Sequence, residues 1–217
     1  MVDRYGKRFT SENLRLHCLY YGLGLFDIQR LEYPRIPCYW IFDQKRIKAS
    51  ALPLTIVGSA GSKQLYHWSQ NNSKELASGW IISGTTVEEL TRKLDRPPDA
   101  LRTSVNTYNG YCEKGQDHEF KRRTLDLISL EKPLFYAVGL WPGGANAQGR
   151  PCRNTRSQTL NTDGNPISRL YGAGDLGSIY GMLYPSEGGN LAECNAFGRI
   201  AGKNAAREKP GSPGPNR

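Results

Sequence analysis

The 217-residue sequence predicts a mixed helix and strand protein, α+β in its first part and α/β toward its end. Three observations carry this. Hydrophobic residues make up only 38% of the chain and glycines number 24, which fits a loop-rich sheet protein better than a helical bundle. Strand-type apolar runs alternate with segments of helical spacing. Near the end, Arg169-Leu-Tyr-Gly-Ala-Gly-Asp-Leu-Gly-Ser178, Tyr184-Pro-Ser-Glu-Gly-Gly-Asn-Leu191 and Ala196-Phe-Gly-Arg-Ile-Ala-Gly202 follow one another. They read as a strand, a glycine turn bearing an acid, a second glycine turn and a helix lined by small residues. The length allows one large or two small domains. Pro142-Gly-Gly144 ends the strand-type run before it, and the linker-like composition of 209–217 predicts a disordered tail.

Along the first part, Asp3 to Phe9 turns around Gly6 between extended pieces, and Ile36-Pro-Cys-Tyr-Trp-Ile-Phe-Asp43 is a strand candidate. Residues 50–80 predict loops or short helices. Thr85-Thr-Val-Glu88 has capping-box spacing with Thr85 as N-cap, and Val87, Leu90 and Leu94 then share one face. A second helix begins at Asp99, carries Leu101, Val105, Tyr108 and Cys112 on one face, and stops at Gly115. Phe135 to Trp141 is a buried-strand candidate, and Thr159 to Ile167 holds an Asp-Gly turn inside a hairpin. Leu170 to Ala173 is a short strand, and Asn190 to Arg207 the last helix.

Composition narrows the function classes. The net charge is +9, but the basic residues are spread out, and the densest group, Lys121-Arg122-Arg123, reads as a solvated face. With no nucleic-acid motif beside it, no nucleic-acid partner is expected. No apolar run reaches the length of a membrane span, and the start lacks an apolar signal region, so a cytoplasmic location is expected. Five widely spaced cysteines without a C-x-x-C read as reduced, mostly structural thiols rather than a disulfide framework or zinc site. His17, His67 and His118 show no metal spacing, and no Ser-His-Asp arrangement is supported.

The chemistry falls in the closing stretch. Gly188 and Gly189 precede the last helix and Asn190 is placed to cap it. A helix start presents unpaired N–H groups and positive partial charge, a place for an anion. Gly198 and Gly202, with Ala201 and Ala205, predict close packing against a sheet. Gly172-Ala-Gly-Asp175 puts a carboxylate after a strand, where it can accept from sugar hydroxyls, and its glycines admit a ligand close to the backbone.

In this order the segments resemble the closing part of FAD-dependent oxidoreductases of the fumarate reductase and 3-ketosteroid Δ1-dehydrogenase superfamily. Asp3 to Glu12 looks like the opening of that family's cap, or catalytic, domain, and Pro37 to Asp43 and Asn109 to Asp117 are similar to cap segments. The resemblance implies a cap domain over 1–141 and the C-terminal part of a Rossmann-like FAD-binding domain over 142–208. It implies that Ala173, Gly174 and Asp175 lie at the FAD ribitol, and Gly189, Asn190 and Leu191 at the pyrimidine edge of the flavin ring. Dicarboxylate-reducing members carry an Arg just before Gly-Gly-Asn; here Ser186-Glu187 stands there, and a carboxylate repels a dicarboxylate. Steroid-dehydrogenating members carry a Tyr followed four residues later by a Gly, both bonding the substrate ketone. Tyr184 and Gly188 have that spacing, which implies a carbonyl substrate held by a phenol and a main-chain N–H. Tyr184 also reads as a loop aromatic packed on the core, and Tyr180 is an equally available phenol. Tyr33, Tyr39 and Tyr136 qualify as proton donors by residue type alone.

The G-x-G-x-x-G turn that would hold the FAD pyrophosphate is not found: Gly22-Leu-Gly24 lacks the third glycine and Gly58-Ser-Ala-Gly61 has the wrong spacing. The expectation is therefore an FAD-dependent oxidoreductase component, moving hydride between flavin N5 and a carbon beside an activating carbonyl. It would work with a polypeptide carrying the N-terminal Rossmann half, or as a homo-oligomer. A non-catalytic fragment or interaction subunit and a fumarate-like dicarboxylate reductase are the alternatives.

Overall fold

Residues 1–13, 16–52, 67–143, 149, 151–174 and 188–209 are described by a computed structural model. They divide into two units, Met1–Gly143 and Gly144–Arg217.

The first unit is built on a three-stranded antiparallel sheet in the order β1-β3-β2, with β1 Cys38–Asp43, β2 Ile81–Gly84 and β3 Phe135–Leu140. Strand alternation sends side chains to two faces. On one face Ile41 and Ala137 join Val2, Leu90, Leu94, Leu101 and Val105. On the other, Phe42 and Tyr136 join Leu52 and Ile81. The helices are α1 Leu16–Leu23, α2 Gln44–Ala49, α3 Ser73–Ala77, α4 Val87–Lys93 and α5 Pro98–Lys114.

Helix α5 follows its sequence closely. Leu101, Val105 and Tyr108 are buried, and Gly115 ends the helix in the left-handed conformation at φ 64°. Helix α4 starts one residue later than its capping-box spacing predicts. Thr86 is the N-cap and accepts from the Glu89 N–H at 3.1 Å, and the Glu89 carboxylate accepts from the Thr85 N–H at 2.8 Å. The shift lets Gly84 approach the helix: a Cβ there would lie 2.6 Å from the Leu90 nitrogen. Three elements have no clear apolar pattern in the sequence: the polar helix α2, the four-residue β2, and α1. Gly22 lies within α1, so the Gly22-Leu-Gly24 run is a helix end rather than a strand-to-helix turn.

A buried charge cluster joins the ends of this unit. Arg8 donates to Glu12 Oε1 at 3.1 Å and Oε2 at 2.9 Å, and to Asp117 Oδ2 at 2.7 Å. Its guanidinium lies 5.1 Å from the Tyr108 ring centre and 4.9 Å from that of Phe120. Glu12 also accepts from Arg122 at 3.0 Å and from the Met1 ammonium at 2.6 Å. Arg122 is thus a structural residue rather than part of the solvated face expected for 121–123; Lys121 and Arg123 are exposed. Beyond it, an ordered turn bridged between Asp27 and Glu32 exposes Leu25, Phe26, Ile28 and Leu31.

The second unit holds a hairpin of β4 Gln158–Leu160 and β5 Pro166–Tyr171, turned at Gly164 (φ 81°), and the helix α6 Gly189–Ala205. Strand β5 begins four residues earlier than the strand expected at Leu170, because it pairs with β4. Cys38 is buried and Cys112 half-buried, but Cys18, Cys152 and Cys194 are exposed, so the thiols are less structural than expected. Among the described residues no helix is long and apolar enough to cross a membrane.

Removing Arg8 leaves the buried Asp117 carboxylate without its cation, while Glu12 keeps Arg122 and the Met1 ammonium. Arg8→Met is expected to cost about 3–5 kcal/mol of stability, read by urea unfolding. Burial acts to raise the Asp117 carboxyl, but the Arg8 hydrogen bond and the N–H groups of Phe120 and Arg122 outweigh it and hold it at about 2. Its ionised form therefore stabilises the fold fully above its ordinary value of 3.8, and that contribution is lost as pH falls toward 2. The wild-type Tm should drop through this window, and the drop should be smaller in Arg8→Met; equal slopes would contradict the assignment.

Candidate functional site

The site grows from the end of β5 and the start of α6. The Gly172 N–H donates to the Ser157 carbonyl at 2.9 Å, and its own carbonyl accepts from Arg153 at 3.2 Å. This brings the Gly172-Ala173-Gly174 segment under control of the 153–157 loop. Gly174 has φ 80°, and a Cβ there would lie 3.0 Å from Cys194 Sγ. The backbone at Gly174 therefore runs against the second turn of α6, and only glycine suits both its conformation and its space.

At the other end, Gly188 is the N-cap at φ 86°, and its carbonyl accepts from the Ala192 N–H at 2.9 Å. Gly188 has no side chain to cap the helix with, and no acid stands in the first turn. This corrects the expectation that Asn190 is the cap: Asn190 lies inside the first turn, because a left-handed Gly188 starts the helix two residues earlier. Leu191 is exposed. The start of α6 thus keeps its positive end unneutralised by its own residues.

A buried ion pair sets where α6 lies. Arg153 and Glu193, with side chains 4% and 1% exposed, are joined by a salt bridge. The Arg153 guanidinium stacks 4.0 Å from the Phe197 ring centre. Desolvation lowers the Arg153 pKa. Ser157 Oγ donates to the Phe197 carbonyl at 3.2 Å, and Asn204 Nδ2 to the Arg156 carbonyl at 2.9 Å. One arginine therefore ties the Gly172 carbonyl and Glu193 together. Nothing among the described residues lies within 4 Å of a Cβ at Gly198 or Gly202, so they do not supply the close packing expected there.

Of the residues predicted for the site, Ala173, Gly174, Gly188, Gly189, Asn190 and Leu191 are described, and Gly174 is brought against α6. Asp175 and Tyr184, and with them Tyr180, Ser186 and Glu187, lie outside the described residues. Tyr136 is buried and donates to Gln44 Oε1 at 2.7 Å; Tyr39 Oη accepts from Arg96 at 3.2 Å; Tyr33 is exposed and packs edge-on against Phe26. Arg153 and Glu193 were missed because forty residues separate them and no local spacing marks a pair. Among the described residues no group of His, Cys, Asp and Glu could hold a metal ion.

No protein-family model matches the chain. Its homologues are vinyl phenol reductase, fumarate reductases and 3-oxosteroid 1-dehydrogenases. It is 28% identical to vinyl phenol reductase of Lactiplantibacillus plantarum over 95% of its length, which is 41% of that protein. It is 36% identical to a probable fumarate reductase of Shewanella frigidimarina over 58% of its length and 21% of that protein. Its fold matches that of 3-ketosteroid Δ1-dehydrogenase from Sterolibacterium denitrificans, with a TM-score of 0.76 and 22% identity over 96% of this chain and 38% of the other. The chain thus spans about two fifths or less of these relatives.

Breaking the buried pair gives a direct test of the site's frame. Glu193→Ala leaves Arg153 buried and unpaired and is expected to cost about 3–5 kcal/mol in urea unfolding, while Arg153→Met combined with Glu193→Leu recovers most of the loss. A single substitution costing as little as the double one would show that the pair does not hold α6.

Proposed function

We propose that this homologue of fumarate reductases, vinyl phenol reductase and 3-oxosteroid 1-dehydrogenases is the cap and closing flavin-binding segment of an FAD-dependent oxidoreductase. The reaction is ene reduction or α,β-dehydrogenation next to an activating carbonyl. One observation carries the reading: in a chain similar to such enzymes along nearly its whole length, a glycine segment after β5 lies against a helix that starts at a left-handed glycine with no acid in its first turn.

These residues fit the cofactor. The positive φ and missing Cβ at Gly174 and Gly188 leave the backbone open to close approach. The α6 start, without an acid in its first turn, favours negative charge on a ring edge placed at Gly189, Asn190 and Leu191. Asp175 would accept from ribitol hydroxyls beside Ala173 and Gly174. When bound, FAD supplies a hydride donor or acceptor at N5. The chain's own part is electrostatic: the Tyr184 phenol and the Gly188 N–H hold the substrate ketone and stabilise charge on its oxygen as a proton leaves or joins the neighbouring carbon.

The second reading is a non-catalytic fragment or interaction subunit without bound flavin. A dicarboxylate substrate is opposed by Ser186 and Glu187 where such enzymes would need an arginine.

The test is flavin binding by the chain alone and mixed with a polypeptide carrying a G-x-G-x-x-G half. Visible flavin absorbance should accompany the purified mixture, and its absence under both conditions would end the oxidoreductase reading in favour of the subunit. In the active mixture, Tyr184→Phe should keep its flavin and lose roughly 10²–10³ in turnover of an enone. Unchanged turnover would remove Tyr184 from the site, and rapid fumarate reduction would replace the carbonyl substrate with a dicarboxylate.

A further inference from the structure

The sheet register pairs Tyr39 of β1 with Gly139 of β3, and Trp141 follows two residues on, toward the same face. A Cβ at Gly139 would have Tyr39 Cε1 3.8 Å away and Trp141 Nε1 4.0 Å away, both ordinary contacts. Gly139 is not in the left-handed conformation. Neither strain nor crowding therefore calls for a glycine here, and a glycine inside a strand often marks a place where a ligand approaches the backbone closely. The space it leaves is a notch between a phenol ring and an indole. The notch opens outward, since Gly139 is exposed and Trp141 is 68% exposed.

The end of α4 brings a cation to this place. Asp95 turns left-handed at φ 53°, its N–H donates to the Arg92 carbonyl at 3.1 Å, and the Arg96 N–H donates to the Thr91 carbonyl at 3.1 Å. This pair of bonds closes the helix and fixes where Arg96 leaves it. The Arg96 guanidinium then lies 5.6 Å from the Tyr39 ring centre and donates to Tyr39 Oη at 3.2 Å. Arg8, Arg122 and Arg153 each meet a carboxylate. Arg96 meets none among the described residues, and its buried Nε has no hydrogen-bond partner. A half-buried cation is left without a counter-charge. Tyr39 Oη accepts from Arg96, so its own proton remains to be donated. Neither that proton nor the Trp141 Nε1–H has an acceptor among the described residues.

We propose that the notch over Gly139 binds the carboxylate of a small aromatic acid. Tyr39 and Trp141 donate to its oxygens, Arg96 supplies the opposite charge, and the exposed indole is the surface on which the aromatic ring lies. The single cation matches a single negative charge. A space of methyl width between two rings admits a flat carboxylate more readily than a tetrahedral phosphate or sulfate. The site stands on the first unit alone and needs no flavin.

The probe is benzoate, added to the full chain with isotope-labelled tryptophan. The Trp141 indole N–H resonance, identified by its loss in Trp141→Phe, should shift saturably in NMR spectra. Benzamide has the same shape without the charge and should bind roughly ten-fold more weakly, as should benzoate to Arg96→Gln. Tyr39→Phe keeps the wall of the notch but loses its donor, and should weaken benzoate by about five-fold. Gly139→Val fills the notch from an unstrained backbone position and should abolish the shift with Tm unchanged. Benzamide binding as tightly as benzoate to the unaltered chain, a shift that never saturates, or a shift retained in Gly139→Val would each overturn the proposal. Acetate binding as tightly as benzoate would overturn it in favour of a plain anion site. No flavin enters the experiment, so its failure is separate from any failure of the oxidoreductase reading.

Discussion

The first unit depends on where one guanidinium sits. Arg8 lies between two aromatic rings and reaches Glu12 four residues away and Asp117 more than a hundred residues away. That single group fixes the opening segment, the end of α5 and the loop after it in one arrangement. The neighbouring Gly6 then passes against α5 so closely that a Cβ would lie 2.9 Å from the Leu101 nitrogen. Val2 reaches β1 from the same segment. Buried charges are expensive, and such a cluster is better understood as a device that selects one geometry than as a source of net stability.

The second unit uses the same device on a smaller scale. Arg153 binds a carbonyl at the end of β5 and a carboxylate in α6, and lays its plane on Phe197. A lysine could not do this, because a planar fork is needed to stack and bridge at once. In both units an arginine aligned with an aromatic face ties segments distant in the chain. Each does so beside backbone that must stay bare, at Gly6 in one and at Gly174 in the other.

Periodicity made the regular parts legible. Leu101, Val105 and Tyr108 announce α5, Gly115 its end, and Asp163-Gly164 the hairpin, because each is decided by local chemistry. Helix α2 was hidden because its six residues are mostly polar and it is started by Asp43, whose carboxylate accepts from the N–H groups of Lys45, Glu131 and Lys132. The glycines of the candidate site were visible, yet the reason for Gly174 was not, since it rests on the nearness of Cys194. Asn190 misled as a cap because a good capping residue was present, and the left-handed Gly188 had already begun the helix. Arg122 looked like one of three surface cations; only the fold sets it over Tyr108.

The Asp27–Glu32 turn bears on how the chain behaves as a colloid. Glu32, bonded by Arg4 and Tyr5, ties the turn to the opening segment, and Ile28 and Leu31 stand 79% and 75% exposed on it. Copies carrying such a patch are kept apart chiefly by mutual repulsion, and the chain's net charge of +9 supplies it. That repulsion has a reach of only ~8 Å at physiological ionic strength. Added salt therefore shortens the one repulsion that opposes contact between such patches.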